Sequence, residues 1–286
     1  MFSTRWLLCL TIALALCTRL AARSAGAAAC VWKVTGANGA SLYLGGSMHG
    51  LLSTDYPLPP AYNRAFDASS ALVIENDINV SLSAARRFYK HGFYSGNDNL
   101  KNHVDPRTYE YLRRLFALNQ VPEAQWSKCK PWMLTMTIVS SATNQLGVEA
   151  YLIRRARANR KPILGLESFR EHAEIISDMS DKEAELALLF NFVPQDQGSE
   201  RRARLVAEWR KGDVEDIARE ETHELSALPF FDERLINQRN RKWIPKIESY
   251  LAHRHNYFVV VGAAHLGGPN GLLALLRARG DRVEQL

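Results

Sequence analysis

Between Ser41 and Asp77 the sequence spells a strand, a helix and a second strand, and this unit constrains the fold more than any other stretch. Leu42, Tyr43 and Leu44 carry the pattern of the first strand, and Ala71 to Ile74 that of the second. Pro59 and Pro60 open the helix between them, where Tyr62, Ala65 and Phe66 recur on one face. Strands joined in this way run parallel, and open α/β sheets bind their ligands at the carboxyl ends of the strands. One end leads into His49 and the other carries Glu75. The unit is therefore expected to bring an imidazole and a carboxylate side by side.

The rest of the chain extends the same theme. Val31 to Val34 reads as a strand that turns at Gly36–Gly39 back into Ser41. Helices are expected over residues 81–92, from Asp105-Pro106 onward, over 132–144 and over 148–160. Lys161 to Glu167 is a further strand ending in a carboxylate. Residues 170–255 form a helical block, with Ser180 and Glu183 as a capping box, Asp213 as a cap, and a long helix from Asp232 to His253 interrupted near Pro245. Tyr257 to Val261 is the most apolar strand. A short helix follows from Gly271, and Arg282 to Leu286 is the last strand. No linker divides the chain. The fold class that results is α/β: a single domain with a central mixed, mostly parallel sheet, flanking helices and a large helical insertion.

Residues 1–29 stand apart. Arg5 precedes an apolar run from Trp6 to Cys17, and small residues close the segment at Ser24 to Ala29. That is the layout of a signal peptide, with cleavage after Ala29 or Ala27, and it places the mature chain in the periplasm or outside the cell. The run is too short for a permanent membrane span. Acylation of Cys30 or Cys17 is disfavoured by Leu16 and by Arg19 and Arg23. The formal charge of +6 includes Arg5, Arg19 and Arg23, so the mature chain carries 33 − 30 = +3. A balance so near neutral gives no footing for nucleic-acid binding. Cys30 and Cys129 remain, too few for a cysteine zinc site; in an exported chain they are the candidates for one disulfide.

Four strand ends carry candidate ligands or bases: His49, Glu75, Glu167 and His265. Both histidines sit in the form Gly-x-x-His, at 46–49 and 262–265, and each copy follows an apolar strand. Glycine lets the backbone turn sharply above the sheet edge, leaving space for the imidazole three residues on. Two imidazoles with carboxylates suit a divalent ion such as Mn, Co, Zn or Fe, which would acidify a bound water. A second carboxylate would act as general base. The structural alternatives are a buried pair of Glu75 with Arg239 or Arg241, and Glu167 as a cap on the helix that follows it.

The chain resembles the TraB/PrgY/GumN family, related to the TIKI metalloproteases and to the ChaN haem-binding and erythromycin-esterase-like folds. The matching stretches are LYLGGSMHG at 42–50, YPLPPAYNRAFDASSALVIEND at 56–77 and KPILGLES at 161–168. EWRKGD at 208–213, LINQRNRKWIPKI at 235–247 and VVVGAAHLGGPNGLLALLRARGDRVEQL at 259–286 complete the set. The resemblance implies one domain over residues 30–286 and metal-dependent peptide hydrolysis. It implies His49, His265 and Glu75 as metal ligands, and Glu75, Glu167, Arg239 and Asn240 as catalytic residues. Two departures from the family pattern stand out: Glu149 where relatives usually have Asp, and His172 where they usually have Gln. The expected function is thus an exported metal-dependent hydrolase acting on a peptide or small-molecule amide. The alternatives are a haem- or metal-binding protein without turnover, and an envelope interaction protein with a vestigial cleft.

Overall fold

A computed structural model describes residues 28–142, 146–192, 198–253 and 255–286. The expected signal peptide lies outside the described residues apart from Ala28 and Ala29, and so does the end of the helix expected over 132–144.

Six strands form one mixed sheet: β1 (Val31–Thr35), β2 (Ser41–Ser47), β3 (Ala71–Asn76), β4 (Ile163–Glu167), β5 (Tyr257–Gly262) and β6 (Arg282–Gln285). Their order is β4-β3-β5-β2-β1-β6. The pairings β4–β3, β3–β5 and β5–β2 are parallel; β2–β1 and β1–β6 are antiparallel. The fold class expected from the sequence is the one observed.

One placement differs. β2 and β3 do not lie side by side, because β5 runs between them, pairing Tyr43–Ser47 on one side and Ala71–Val73 on the other. Hydrophobicity accounts for this. Phe258 to Val261 are fully buried, and a strand apolar on both faces belongs at the centre of a sheet. His49 and Glu75 therefore flank the strand that delivers His265.

Four helices position the site: α1 (Pro60–Ala68), α2 (Val148–Ala158), α3 (Phe169–Ser177) and α4 (Gln238–Ala252). Pro245 does not interrupt α4. Trp243, Ile244, Ile247 and Leu251 are buried on one side of it, and that packing outweighs the single hydrogen bond that proline forfeits. The irregularity lies upstream, in one π-helical turn at Glu233–Asn237.

Helical material fills both long connections, residues 82–142 and 169–252. The first builds its own small core from Leu100, Tyr109, Leu112, Trp126, Cys129 and Leu134, with Leu188 from the second packed into it. The helices expected over 81–92, from Asp105-Pro106 onward and from 132 thus form a second helical unit beside the 170–255 block. Cys129 belongs to that core and Cys30 to the main one, and both thiols are free and buried. No disulfide joins them.

Candidate functional site

The carboxyl ends of β3, β4 and β5 converge on Arg239, which α4 holds beneath them. Its guanidinium has five N–H groups, and each has an acceptor within the protein. Nη2 donates to Glu75 Oε2 at 2.5 Å and to Glu167 Oε1 at 2.7 Å. Nε donates to Glu167 Oε2 at 3.3 Å. Nη1 donates to the Leu235 carbonyl and to His265 Nε2, each at 3.2 Å. No N–H is left over to hold an oxyanion. The Trp243 ring lies 4.5 Å from the guanidinium carbon and 4.6 Å from the His265 ring, and supports both.

Each carboxylate is bound at both oxygens. Glu75 Oε1 accepts from the Gly262 N–H at 2.6 Å, so the strand bearing His265 clamps the glutamate from its neighbour strand. Glu167 also accepts from His172 Nδ1 at 2.6 Å and from Trp243 Nε1 at 3.1 Å. Its carboxylate does not cap α3; Ser168 and Glu171 form that capping box themselves. Gly165 is what lets β4 reach this position, since a Cβ there would collide with the Asp77 amide.

His265 is 3% exposed. Its tautomer follows from Asn240. The Asn240 amide nitrogen donates to the carbonyls of His265 (3.1 Å) and Asn270 (2.8 Å), so its oxygen faces His265 Nδ1 at 2.8 Å and must accept. Nδ1 carries the proton and Nε2 the lone pair, which Arg239 engages. Burial depresses the imidazole to a pKa of about 4; Glu75 works against that, while Arg239 and nearby His49 add to it. The ring is neutral at physiological pH.

Burial works to raise the Glu75 carboxyl, but Arg239, His265 and the Gly262 N–H outweigh it and hold the group well below the usual carboxylate range. Glu167 is likewise lowered: burial opposes, and His172 and Arg239 prevail. Glu149 goes the other way. Burial, and then repulsion by Glu75, push it up to about 8 against the pull of Arg239. It is half-buried and has no hydrogen-bond partner among the described residues.

Glu149 and His49 share a mount. Val148 N–H donates to the Met48 carbonyl at 3.1 Å, and Gly147 packs so closely that a Cβ there would lie 3.2 Å from His49 Cα. The start of α2 is thereby pressed onto the His49 loop. His49 itself is exposed and makes no hydrogen bond among the described residues.

Of the six residues nominated from the sequence, Glu75, Glu167, Arg239, Asn240 and His265 come together in one bonded cluster. His49 stands at its rim. Glu149 and His172 appeared in the sequence only as departures from relatives, and Trp243 drew no notice. A cleft of about 630 Å³ opens on Glu167, Arg239 and Trp243, with Arg234, Lys242 and Lys246 among its walls.

The TraB/PrgY/gumN family model matches residues 30–285. The chain belongs to this family. It is 23% identical over 244 residues to the uncharacterized protein YbaP of Escherichia coli (strain K12), an alignment covering 82% of this chain and 87% of that protein. The YbaP of Shigella flexneri is equally similar. No solved structure is a significant match. The ligand set that membership in this family suggested does not fit a divalent ion as the side chains stand. Among the described residues no three His, Cys, Asp or Glu side chains converge closely enough to hold one. The guanidinium of Arg239 already lies between Glu75, Glu167 and His265.

Proposed function

We propose that this member of the TraB/PrgY/gumN family is an exported hydrolase of peptide or amide bonds, with His49 as the base that activates water. The observation that carries this reading is a contrast within one site. Arg239 and the four residues clustered with it, Glu75, Glu167, Asn240 and His265, satisfy one another, while the two ionisable groups mounted on the same loop contact, His49 and Glu149, are unpartnered among the described residues. Groups that are fully bonded hold a geometry; groups left free are available to a substrate.

In this reading His49 takes a proton from water as hydroxide attacks the carbonyl carbon. Glu149, kept protonated by burial and by the Glu75 charge, gives its proton to the departing amine as the C–N bond breaks. The imidazolium then returns a proton to Glu149. Glu75, Glu167, Arg239, Asn240 and His265 act as positioning residues. Their contribution is to fix the Glu75 charge beside Glu149 and to keep the floor of the site rigid.

Export is part of the proposal and rests on residues 1–29. No helix among the described residues is long and apolar enough to cross a membrane. Ala29 supports cleavage after Ala27 over cleavage after Ala29: its N–H bonds the Leu286 carbonyl at 2.9 Å and its side chain is buried. The Cys30 thiol is fully buried, which argues against an acyl anchor there.

The test is cleavage of a peptide library by the purified mature chain, read by mass spectrometry. Cleavage that falls at least about 100-fold in His49→Ala, the scale of a lost general base, supports the reading. No cleavage of any member, or undiminished cleavage by His49→Ala, would sink it.

A further inference from the structure

Two neighbouring carboxylates and an imidazole lone pair facing them require a positive charge between them. We infer that Arg239, seated on Trp243, is the resident cation of this site, and that the chain works without a catalytic divalent ion. This departs from the metal dependence that the family resemblance implied.

The case rests on the occupancy of every donor atom of Glu75, Glu167 and His265, which leaves exposed His49 as the one nominated ligand without a bond among the described residues. His265 Nδ1 is bound to Asn240 and Nε2 to Arg239, so neither nitrogen is open. Glu75 holds the Gly262 amide with one oxygen and Arg239 with the other. Glu167 shares its oxygens among Arg239, His172 and Trp243. An ion entering here would have to break several of these bonds and part Arg239 from the Trp243 ring, 4.5 Å away. It would also meet a guanidinium charge with nowhere to go, because the Arg239 side chain is only 8% exposed. A fork of fixed donors on a flat aromatic support gives what a metal gives, namely charge and orientation, with no exchangeable ligand.

The experiment needs no substrate, so its outcome is separate from the fate of the hydrolase reading. The full-length mature chain, purified without chelators, is analysed for metal content and titrated calorimetrically with manganese, cobalt and zinc chlorides in turn. The expected result is fewer than about one ion per ten chains and no saturable uptake tighter than about 100 μM. About one ion per chain, lost in His265→Ala or Glu75→Gln, would overturn the inference.

Arg239→Met removes the charge and leaves the same acceptors facing one another. It is expected to take up a divalent ion that the wild type refuses. A folded Arg239→Met that stays metal-free would overturn the assignment of Arg239 to the ion's place. Where that variant does not fold, Arg239→Lys keeps the charge, and its refusal of metal, with the wild-type result, carries the decision.

Discussion

Asn240 dictates the protonation of His265: its oxygen lies 2.8 Å from Nδ1 and is held there by two bonds from its own amide nitrogen to backbone carbonyls. Replacing it with alanine strands the His265 and Asn270 carbonyls and frees the imidazole to change tautomer. Asn240→Ala should lose about 2–4 kcal/mol in urea denaturation, the scale of two or three buried bonds broken at one end. Asn240→Asp should raise the His265 pKa from about 4, since a carboxylate favours imidazolium; proton NMR of the ring reads this directly. An Asn240→Ala chain as stable as the wild type would show that the amide holds nothing.

Arg239→Met is expected to cost about 3–5 kcal/mol at neutral pH, because it leaves Glu75 and Glu167 buried without their partner. The pH dependence should reverse as well. In the wild type both carboxyls are depressed, so they contribute stability above the ordinary carboxylate pKa and lose it as pH falls toward the folded values. In the variant, acid protonates the two groups and relieves their repulsion. Denaturant midpoints that move in the same direction for both proteins as pH falls from 5 toward 3 would contradict the pairing.

Glu149 should leave an alkaline signature. Its folded pKa of about 8 lies above the ordinary 4.5, so its contribution is fully present below 4.5 and is lost as pH rises through 8. The melting temperature of the wild type should therefore fall from pH 5 to pH 9 more steeply than that of Glu149→Gln. Parallel curves for the two proteins would place the carboxyl in water.

Cys30 and Cys129, two of the four cysteines of the sequence, should resist alkylation in the native chain and react once it is unfolded. Burial raises the Cys30 thiol to about 12, and burial also raises Cys129. Iodoacetamide followed by peptide mass spectrometry, in buffer and in urea, should find neither of these two positions modified and then both. A mass two units low without reductant would reveal the disulfide that the structure lacks.

Much of this site was legible in the sequence because strand ends are legible. Apolar runs followed by glycine gave β2 and β5, and with them His49 and His265; the carboxylates closing β3 and β4 gave Glu75 and Glu167. What could not be read was order in space. Nothing local to Ser41–Asp77 indicates that a strand 180 residues later enters between its two halves; that follows from the burial of Phe258 to Val261 on both faces. The pairing of Glu75 with Arg239, weighed as a structural alternative, is the geometry found. Glu149 stands out in the sequence only as a departure from relatives, because its character arises from tertiary neighbours, burial and Glu75, and from no pattern around it. Pro245 misled for the same reason: packing on the sheet keeps α4 continuous across a residue that would break an isolated helix.

The position of β5 also sets when this site can exist. Its strand is among the last elements of the chain, yet it pairs with the second and third strands and brings both the Gly262 amide and His265. Until those residues arrive, the sheet is split down its middle and Glu75 lacks one of its two anchors. Partial chains, whether still being made or cut short near residue 250, can build helices but have no central seam to close. Closing the sheet therefore waits on a pairing between residues far apart in sequence, a class of contact that tends to slow folding. A chain cut short before Tyr257 would hold Glu75, Glu167 and Arg239 without the strand that joins them.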